Sequence, residues 1–455
     1  MVIRSINPFN SKTISEYTEM TPEEVDTIIL ETHKAFLHWR STTFDYRAER
    51  LSKMSTILIK EKQNYATLIT REMGKPITES KSEIEKCAWV CQYYADNGQR
   101  FLQDEIIITE FSQSFVTFQP LGVIVAIMPW NFPFWQVLRF AAAAITAGNT
   151  IVLKHASNIP GCALELENLF SKAGFPSHTF RTLLTTSNSM ESIIENRFVR
   201  GVTLTGSVEA GKAVARKAGE MLKKTVLELG GNDAYIIMNN ADVEIAACTC
   251  ARSRLINSGQ SCIGAKRFVV VKSQKKRFEE LLTKHMKEAT MGDPTDERTT
   301  VGPLARRDLR DNLHGQVQQS INQGARCLLG GFIPEGPGAF YPPTVLTDVK
   351  RGMAAYHEEM FGPVAAVIPV KDDVEAIAMA NDSQFGLGAA LFTTDIEKGR
   401  KIAINELEAG NCFINDFVQS DPRLPFGGIK ESGYGRELSH YGIKEFVNIK
   451  TIVIK

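Results

Sequence analysis

One cysteine of this chain sits in a setting unlike the other seven. Asn257-Ser258-Gly259-Gln260-Ser261-Cys262-Ile263-Gly264 places a thiol in a Gly- and Ser-rich turn between a helical stretch and an apolar strand near Phe268. Small residues give access and exposed backbone N–H groups, a route to a thiolate and so to a nucleophile; the competing reading is an ordinary loop thiol. Glu228, in Val226-Leu227-Glu228-Leu229-Gly230-Gly231, is a carboxylate among apolar residues at a strand end. Desolvation there raises its pKa toward the range of a general base, unless a structural partner holds it. Three more strand ends are unusual. Met128-Pro129-Trp130-Asn131-Phe132-Pro133 brackets an amide with prolines, Lys154-His155-Ala156-Ser157 supplies a cation and a hydroxyl, and Thr205-Gly206-Ser207 opens a helix with a small residue that admits a phosphate. Each alone is a capped turn; together, at the carboxyl ends of parallel strands, they describe a nucleotide cleft. Glu359-Met360-Phe361-Gly362-Pro363 sets a carboxylate and an aromatic before a tight turn, suited to a ribose diol and a flat ring.

Two familiar phosphate signatures fail. Gly206 to Ala213 nearly matches GxxxxGK[ST], but Ala213 stands where a magnesium-binding hydroxyl is needed, and no GxGxxG follows a strand. A dinucleotide must therefore be gripped in another way.

These residues need elements to position them. From Gly122 onward short apolar runs (Val123 to Met128, Thr150 to Leu153, Thr182 to Thr185, Gly201 to Leu204) alternate with helical stretches such as Phe134 to Ala147 and Val208 to Leu222. That alternation predicts a parallel sheet with helices on both faces. A second α/β series follows Gly230, with strands at Tyr235 to Met238, Phe268 to Val271, Ala365 to Val370 and Ala389 to Phe392. The first hundred residues read as helical, opened by the capping box Thr21-Pro22-Glu23-Glu24. Ile106-Ile107-Ile108-Thr109 and Phe115-Val116-Thr117-Phe118 suit a two-stranded ribbon, and Phe446 to Ile454 a terminal strand. Such strands leave open edges, which either a second subunit covers or the two close on each other within the chain.

Composition narrows the partners. With 52 basic against 52 acidic residues there is no bulk field to draw nucleic acid or an anionic membrane surface. No apolar stretch approaches the roughly 20 residues needed to span a bilayer. The start of the chain lacks a secretory pattern, so a cytoplasmic location is expected. Eight scattered cysteines, with no CxxC and no histidine at zinc-ligand spacing, predict reduced thiols and no metal site.

Five motifs carry a resemblance. Pro129-Trp130-Asn131-Phe132-Pro133, Leu-Glu-Leu-Gly-Gly at 227–231, Gly-Gln-Ser-Cys at 259–262, Glu-Glu-Met-Phe-Gly-Pro-Val at 358–364 and Pro-Phe-Gly-Gly-Ile-Lys-Glu-Ser-Gly-Tyr-Gly-Arg-Glu at 425–437 resemble the aldehyde dehydrogenase superfamily along essentially the whole chain. The short length and the Cys-Ile-Gly-Ala-Lys-Arg-Phe run are most similar to its compact bacterial succinate-semialdehyde dehydrogenase branch. The resemblance implies an α/β fold of three parts. These are a Rossmann-like NAD(P)-binding domain (1–101 and 121–229), an α/β catalytic domain (230–431) and a small β oligomerisation domain (102–120 and 432–455). It implies that Cys262 attacks the aldehyde, that Asn131 and the Cys262 N–H hold the oxyanion, and that Glu228 activates the water that releases the acid. Trp130, Lys154, Ser157, Gly206, Ser207, Leu229, Glu359 and Phe361 fall on its cofactor positions.

Within that resemblance, relatives that prefer NAD carry a glutamate three residues after the lysine. Ser157 removes that charge and leaves Lys154 free for a 2′-phosphate, so NADP is expected to be preferred, with NAD usable. Arg139, eight residues beyond Asn131, matches the arginine that holds a substrate carboxylate in succinate-semialdehyde dehydrogenases, with Ser420 assisting. Its bland reading is a surface arginine. Many such enzymes have a second arginine six residues before the cysteine, where this chain has Ile256, and no second cysteine follows at Gly264. The expected reaction is succinate semialdehyde to succinate. The rival readings are a broad aliphatic or aromatic aldehyde dehydrogenase, a thiol hydrolase using Cys262 with a histidine (only His155 and His357 lie near a motif), and a catalytically silent relative.

Overall fold

The computed structural model describes residues 2–455. A six-stranded sheet is built on the parallel strands Lys224–Glu228, Val199–Thr205, Val123–Met128, Thr150–His155 and Phe180–Thr182, in that order, closed by an antiparallel edge at Gly433–Tyr434. The central strands are apolar along both faces because helices cover both; Val123, Ile124, Val125 and Ala126 are fully buried. A seven-stranded, mostly parallel sheet holds Ala234–Ile237, Arg267–Val271, Val364–Val370 and Gly388–Phe392 at its centre. The two α/β series expected from the alternation are thus two sheets. In each, all the parallel strands end on one side, which is where ligands bind in such sheets.

Two expectations need correction. The first hundred residues are not all helical: Val2–Ile6 and Thr13–Thr18 form an antiparallel hairpin before the four helices between Pro22 and Phe101. The first strand buries Ile3 and Ser5 and leaves Val2 and Ile6 exposed, so its apolar residues do not mark the buried face. The open edges close partly within the chain. Gln113–Pro120 pairs along its whole length with the terminal strand Val447–Ile454, and its other side takes only Glu105–Ile106. The ribbon is shorter than Ile106 to Thr109 suggested, and Ile108 projects almost fully into solvent.

Two helices matter most for the site. Ile77–Phe101 and Trp135–Thr146 pack closely because Gly98 has no side chain; a Cβ there would lie 2.2 Å from Thr146 Cγ2. The second helix has no cap of its own. Glu83 of the first supplies one in trans, its Oε1 accepting from the Phe134 and Trp135 N–H groups at 2.8 and 3.0 Å, a carboxylate against the positive end of the helix. Lys75 holds the other oxygen of Glu83 in a fully buried ion pair.

Candidate active site

The Cys262 loop is held in an uncommon conformation. Asn257, Ser258 and Gly259 all have left-handed backbone, with φ of 54°, 53° and 77°, which costs of order 1–2 kcal/mol for each non-glycine residue. Side-chain bonds hold it there. The Asn257 N–H donates to Glu79 at 2.5 Å, Ser258 Oγ exchanges bonds with both backbone groups of Gly302, and the Gln260 amide oxygen accepts from the Ala305 N–H at 2.9 Å. A Cβ on Gly259 would fall 2.2 Å from the Gly362 carbonyl carbon. The Cys262 loop therefore packs directly on the turn after Glu359 and Phe361. Gly259→Ala is expected to cost about 2–4 kcal/mol of stability through positive φ and overpacking together. Thermal unfolding of the variant at the wild-type midpoint would contradict that.

The strand ends converge on this loop. His155 ties two of them, its ring nitrogens 3.1 Å from the Met128 carbonyl and 2.9 Å from the Pro133 carbonyl; burial pushes its pKa down to about 4. Asn131, between those two carbonyls, donates one side-chain proton to the Gln260 carbonyl at 3.1 Å, and its own carbonyl accepts from Asn257 at 2.7 Å. An amide has two protons to give, so the second remains for an oxyanion. Gly231 lies so near the Cys262 carbonyl that a Cβ would come within 2.7 Å of it. Lys266, fully buried, donates to that carbonyl at 2.6 Å and to Ser261 at 3.1 Å while pairing with Glu359 at 3.1 Å. Sequence reasoning gave Lys266 no role, although a lysine four residues after the candidate cysteine, next to a buried strand, signals an internal partner.

Burial pushes the Cys262 thiol up to about 12, against the opposing pull of Arg139 and Lys266. The resting sulfur is a neutral thiol that needs help to ionise. Burial also raises Glu228 well above the ordinary carboxylate range, with Arg139 pulling down and Glu437 pushing up. Both its oxygens are buried and lack a hydrogen-bond partner among the described residues, beside Gly427. An unsatisfied, proton-avid carboxylate near the thiol is equipped to take a proton from a water there.

Cys262, Arg139 and Ser420 line one cavity of about 640 Å³, walled by Phe132, Trp135 and Phe426. Arg139 is not a surface residue. It is 3% exposed, paired with equally buried Glu437, with its guanidinium 4.8 Å above the Phe426 ring. Lys86, which sequence reasoning passed over, lines the same cavity, its ammonium 2.9 Å from Ser420 Oγ and 4.5 Å above the Trp135 ring. Neither histidine near a motif serves the thiol: His155 is pinned between carbonyls, and His357 accepts from the Gly352 N–H. This removes the support for a Cys-His hydrolase.

The cofactor candidates lie around the same strand ends. Trp130 and Phe361 meet edge to face at 5.7 Å. Ser207 caps the helix Val208–Glu220, Gly206 N–H donates to the Glu228 carbonyl, and Leu229 N–H to the Ser432 carbonyl. Glu359 accepts from the Gly231 N–H at 3.2 Å. Lys154 and Ser157 share a cleft of about 850 Å³ with Arg307 and with Arg306, which is paired to Asp308 of the same cleft at 2.7 Å. Lys154 has no ion-pair partner among the described residues, and no carboxylate stands at 157 to repel a phosphate. These residues fit a dinucleotide carrying a 2′-phosphate.

The description Aldehyde dehydrogenase family matches residues 1–452. A protein of Synechocystis named probable succinate-semialdehyde dehydrogenase (NADP+) is 46% identical over 454 residues, covering 100% of both chains. One of Paenarthrobacter nicotinovorans named aldehyde dehydrogenase is 47% identical over 456 residues, covering 99% of each. The crystal structure of a succinic semialdehyde dehydrogenase from Streptococcus pyogenes in complex with NADP+ superposes with a TM-score of 0.97 at 38% identity, covering 99% of each chain. With likeness running from end to end in both sequence and fold, the chain belongs to the aldehyde dehydrogenase family.

Proposed function

We propose that the protein oxidises succinate semialdehyde to succinate, with NADP+ preferred and NAD+ as a weaker substitute. The observation that carries the reading is that the thiol of Cys262 shares a mostly apolar cavity with cationic side chains and the hydroxyl of Ser420. The names of the Synechocystis and Streptococcus relatives support the same substrate and cofactor.

In this reading Cys262, its thiolate favoured by Arg139 and Lys266, gives its proton to water in the cavity and its sulfur bonds to the aldehyde carbon. The carbonyl electron pair moves to oxygen, where the free Asn131 amide proton and the Cys262 N–H receive it. When bound, the nicotinamide ring supplies the acceptor for the hydride that this carbon loses as the C=O bond reforms in a thioester. Glu228 then takes a proton from water, the hydroxide oxygen bonds to the acyl carbon, and the C–S bond breaks, returning the thiolate and releasing the acid. Arg139, with Ser420, faces the distal carboxylate. Trp130, Gly206, Ser207, Leu229, Glu359 and Phe361 cradle the dinucleotide, and Lys154 with Ser157 takes its 2′-phosphate.

A broad-specificity aldehyde dehydrogenase is the second reading. The pairing of Arg139 with Glu437 favours it by neutralising much of the arginine's charge, as does the unspecific name of the Paenarthrobacter relative. Initial rates over aldehydes with and without a distal carboxylate, with each dinucleotide, separate the two. Ser157→Glu is expected to lower the NADP+ over NAD+ preference in kcat/KM at least about tenfold, by repelling the phosphate and offering a ribose acceptor. An unchanged preference would remove the role given to Ser157.

Self-association belongs to the same proposal. Among the described residues the terminal strand Val447–Ile454 has a strand partner on one side only and exposes Ile449 and Val453, while Ile106, Ile107 and Ile108 are exposed at the opposite edge of the same sheet; open apolar edges of this kind are what a second subunit covers. No helix among the described residues is long and apolar enough to cross a membrane, and the proposed chemistry suits a cytoplasmic enzyme.

A further inference from the structure

We propose that Lys86, together with Ser420, is the principal anchor for the substrate's distal carboxylate, in the role that a second arginine at position 256 would otherwise fill. The inference rests on the reading that the substrate carries such a carboxylate. Ile256 lines the cavity wall and offers nothing to an anion. Arg139 does carry a charge, but its Nε is engaged by the Glu437 carboxylate in a buried pair.

Lys86 differs on each count. It is half-buried on the cavity wall, and no carboxylate lies within ion-pair distance among the described residues. The two acids that act on it are already committed: Glu83 to Lys75, and Asp421 to Arg423 at 2.7 Å. Its ammonium donates to Ser420 Oγ at 2.9 Å, so the serine's own proton is free to point elsewhere. Ammonium and hydroxyl together make a two-donor fork facing the chamber that holds Cys262. The Trp135 ring beneath the ammonium fixes its direction. A cation taken partly out of water without a counter-ion is poorly stable, and a substrate carboxylate supplies the missing charge.

The titration of Lys86 gives a second readout. Burial, with Arg139 on the neighbouring helix, lowers its pKa to about 8, while Cys87 and Glu83 on its own helix and Asp421 on the facing loop pull the other way. A guanidinium, unlike an ammonium, does not titrate in the working range of an enzyme. Preference for a carboxylate-bearing aldehyde should therefore fade as pH rises through about 8 if Lys86 is the anchor, and should not if Arg139 is.

The experiment compares kcat/KM for succinate semialdehyde with that for butanal, in wild type, Lys86→Met and Lys86→Arg, using NADP+. Taking the ratio cancels changes in Cys262 reactivity, and the butanal rate reports whether each variant is folded. The expected result is a ratio that falls about tenfold to a hundredfold in Lys86→Met, mainly through KM, and is largely kept in Lys86→Arg. In wild type the ratio should fall between about pH 7 and about pH 9 and in Lys86→Arg stay level. A ratio in Lys86→Met within about twofold of wild type, or a wild-type ratio level across that range, would overturn the role of Lys86. A wild-type ratio near unity at about pH 7 would instead sink the carboxylate reading itself, and the Lys86 inference with it. If Lys86→Met fails to fold, Lys86→Arg and the wild-type pH profile decide alone.

Discussion

Cys262→Ser is expected to abolish aldehyde oxidation, with kcat/KM falling by about a thousandfold or more. Burial already holds the thiol up at about 12, so even sulfur depends on Arg139 and Lys266 to ionise. A serine hydroxyl in the same apolar pocket ionises far less readily, and the alcohol is the poorer nucleophile at carbonyl carbon. The loop's hydrogen bonds come from Asn257, Ser258 and Gln260 rather than from the sulfur, so the variant should fold and bind dinucleotide normally. Stopped-flow and steady-state absorbance at 340 nm check the loss. Activity within tenfold of wild type would place the chemistry on another residue.

Glu228→Gln is expected to separate the two halves of the reaction. Without a proton acceptor for water the acyl-enzyme forms and then persists, so reduced dinucleotide appears as a single stoichiometric burst. The steady rate that follows should be about a hundredfold to ten thousandfold slower than in wild type. The pH dependence has a definite sign. Burial raises the Glu228 pKa, so its basic form, and the steady-state rate with it, grows as pH rises through that raised value. The glutamine variant should lack this limb. A steady-state rate equal to that of wild type, or an unchanged pH profile, would assign water activation elsewhere.

Much of this arrangement was legible in the sequence because it depends on local chemistry. The alternation of apolar strands with helices placed Val123–Met128, Thr150–His155 and Val199–Thr205 within a few residues, since buried parallel strands must be apolar on both faces. Proline and glycine around Asn131 and Cys262 marked the loops on which chemistry could sit. The N-terminal hairpin was missed because its strands are short and half-exposed, leaving no strong alternation.

The site's long-range partners were less visible. That Arg139 would be neutralised by Glu437, 298 positions later, follows only from the way the Phe426–Glu437 segment folds back over the helix that carries the arginine. Lys86 looked like one of many lysines on an amphipathic helix. Its meaning comes from Gly98, which lets that helix press against Trp135–Thr146, and from Ser420, which arrives from a distant loop. Spacing along the chain carries no record of such encounters.

The most direct test is to mix Glu228→Gln with succinate semialdehyde and NADP+, quench in acid, and sequence the labelled peptide by mass spectrometry. A succinyl thioester on the peptide containing Cys262, formed in step with the burst of reduced dinucleotide, is the predicted result. A burst with the acyl group on any other residue, or reduced dinucleotide formed with Cys262 unmodified, would contradict the assignment of the reaction to that sulfur.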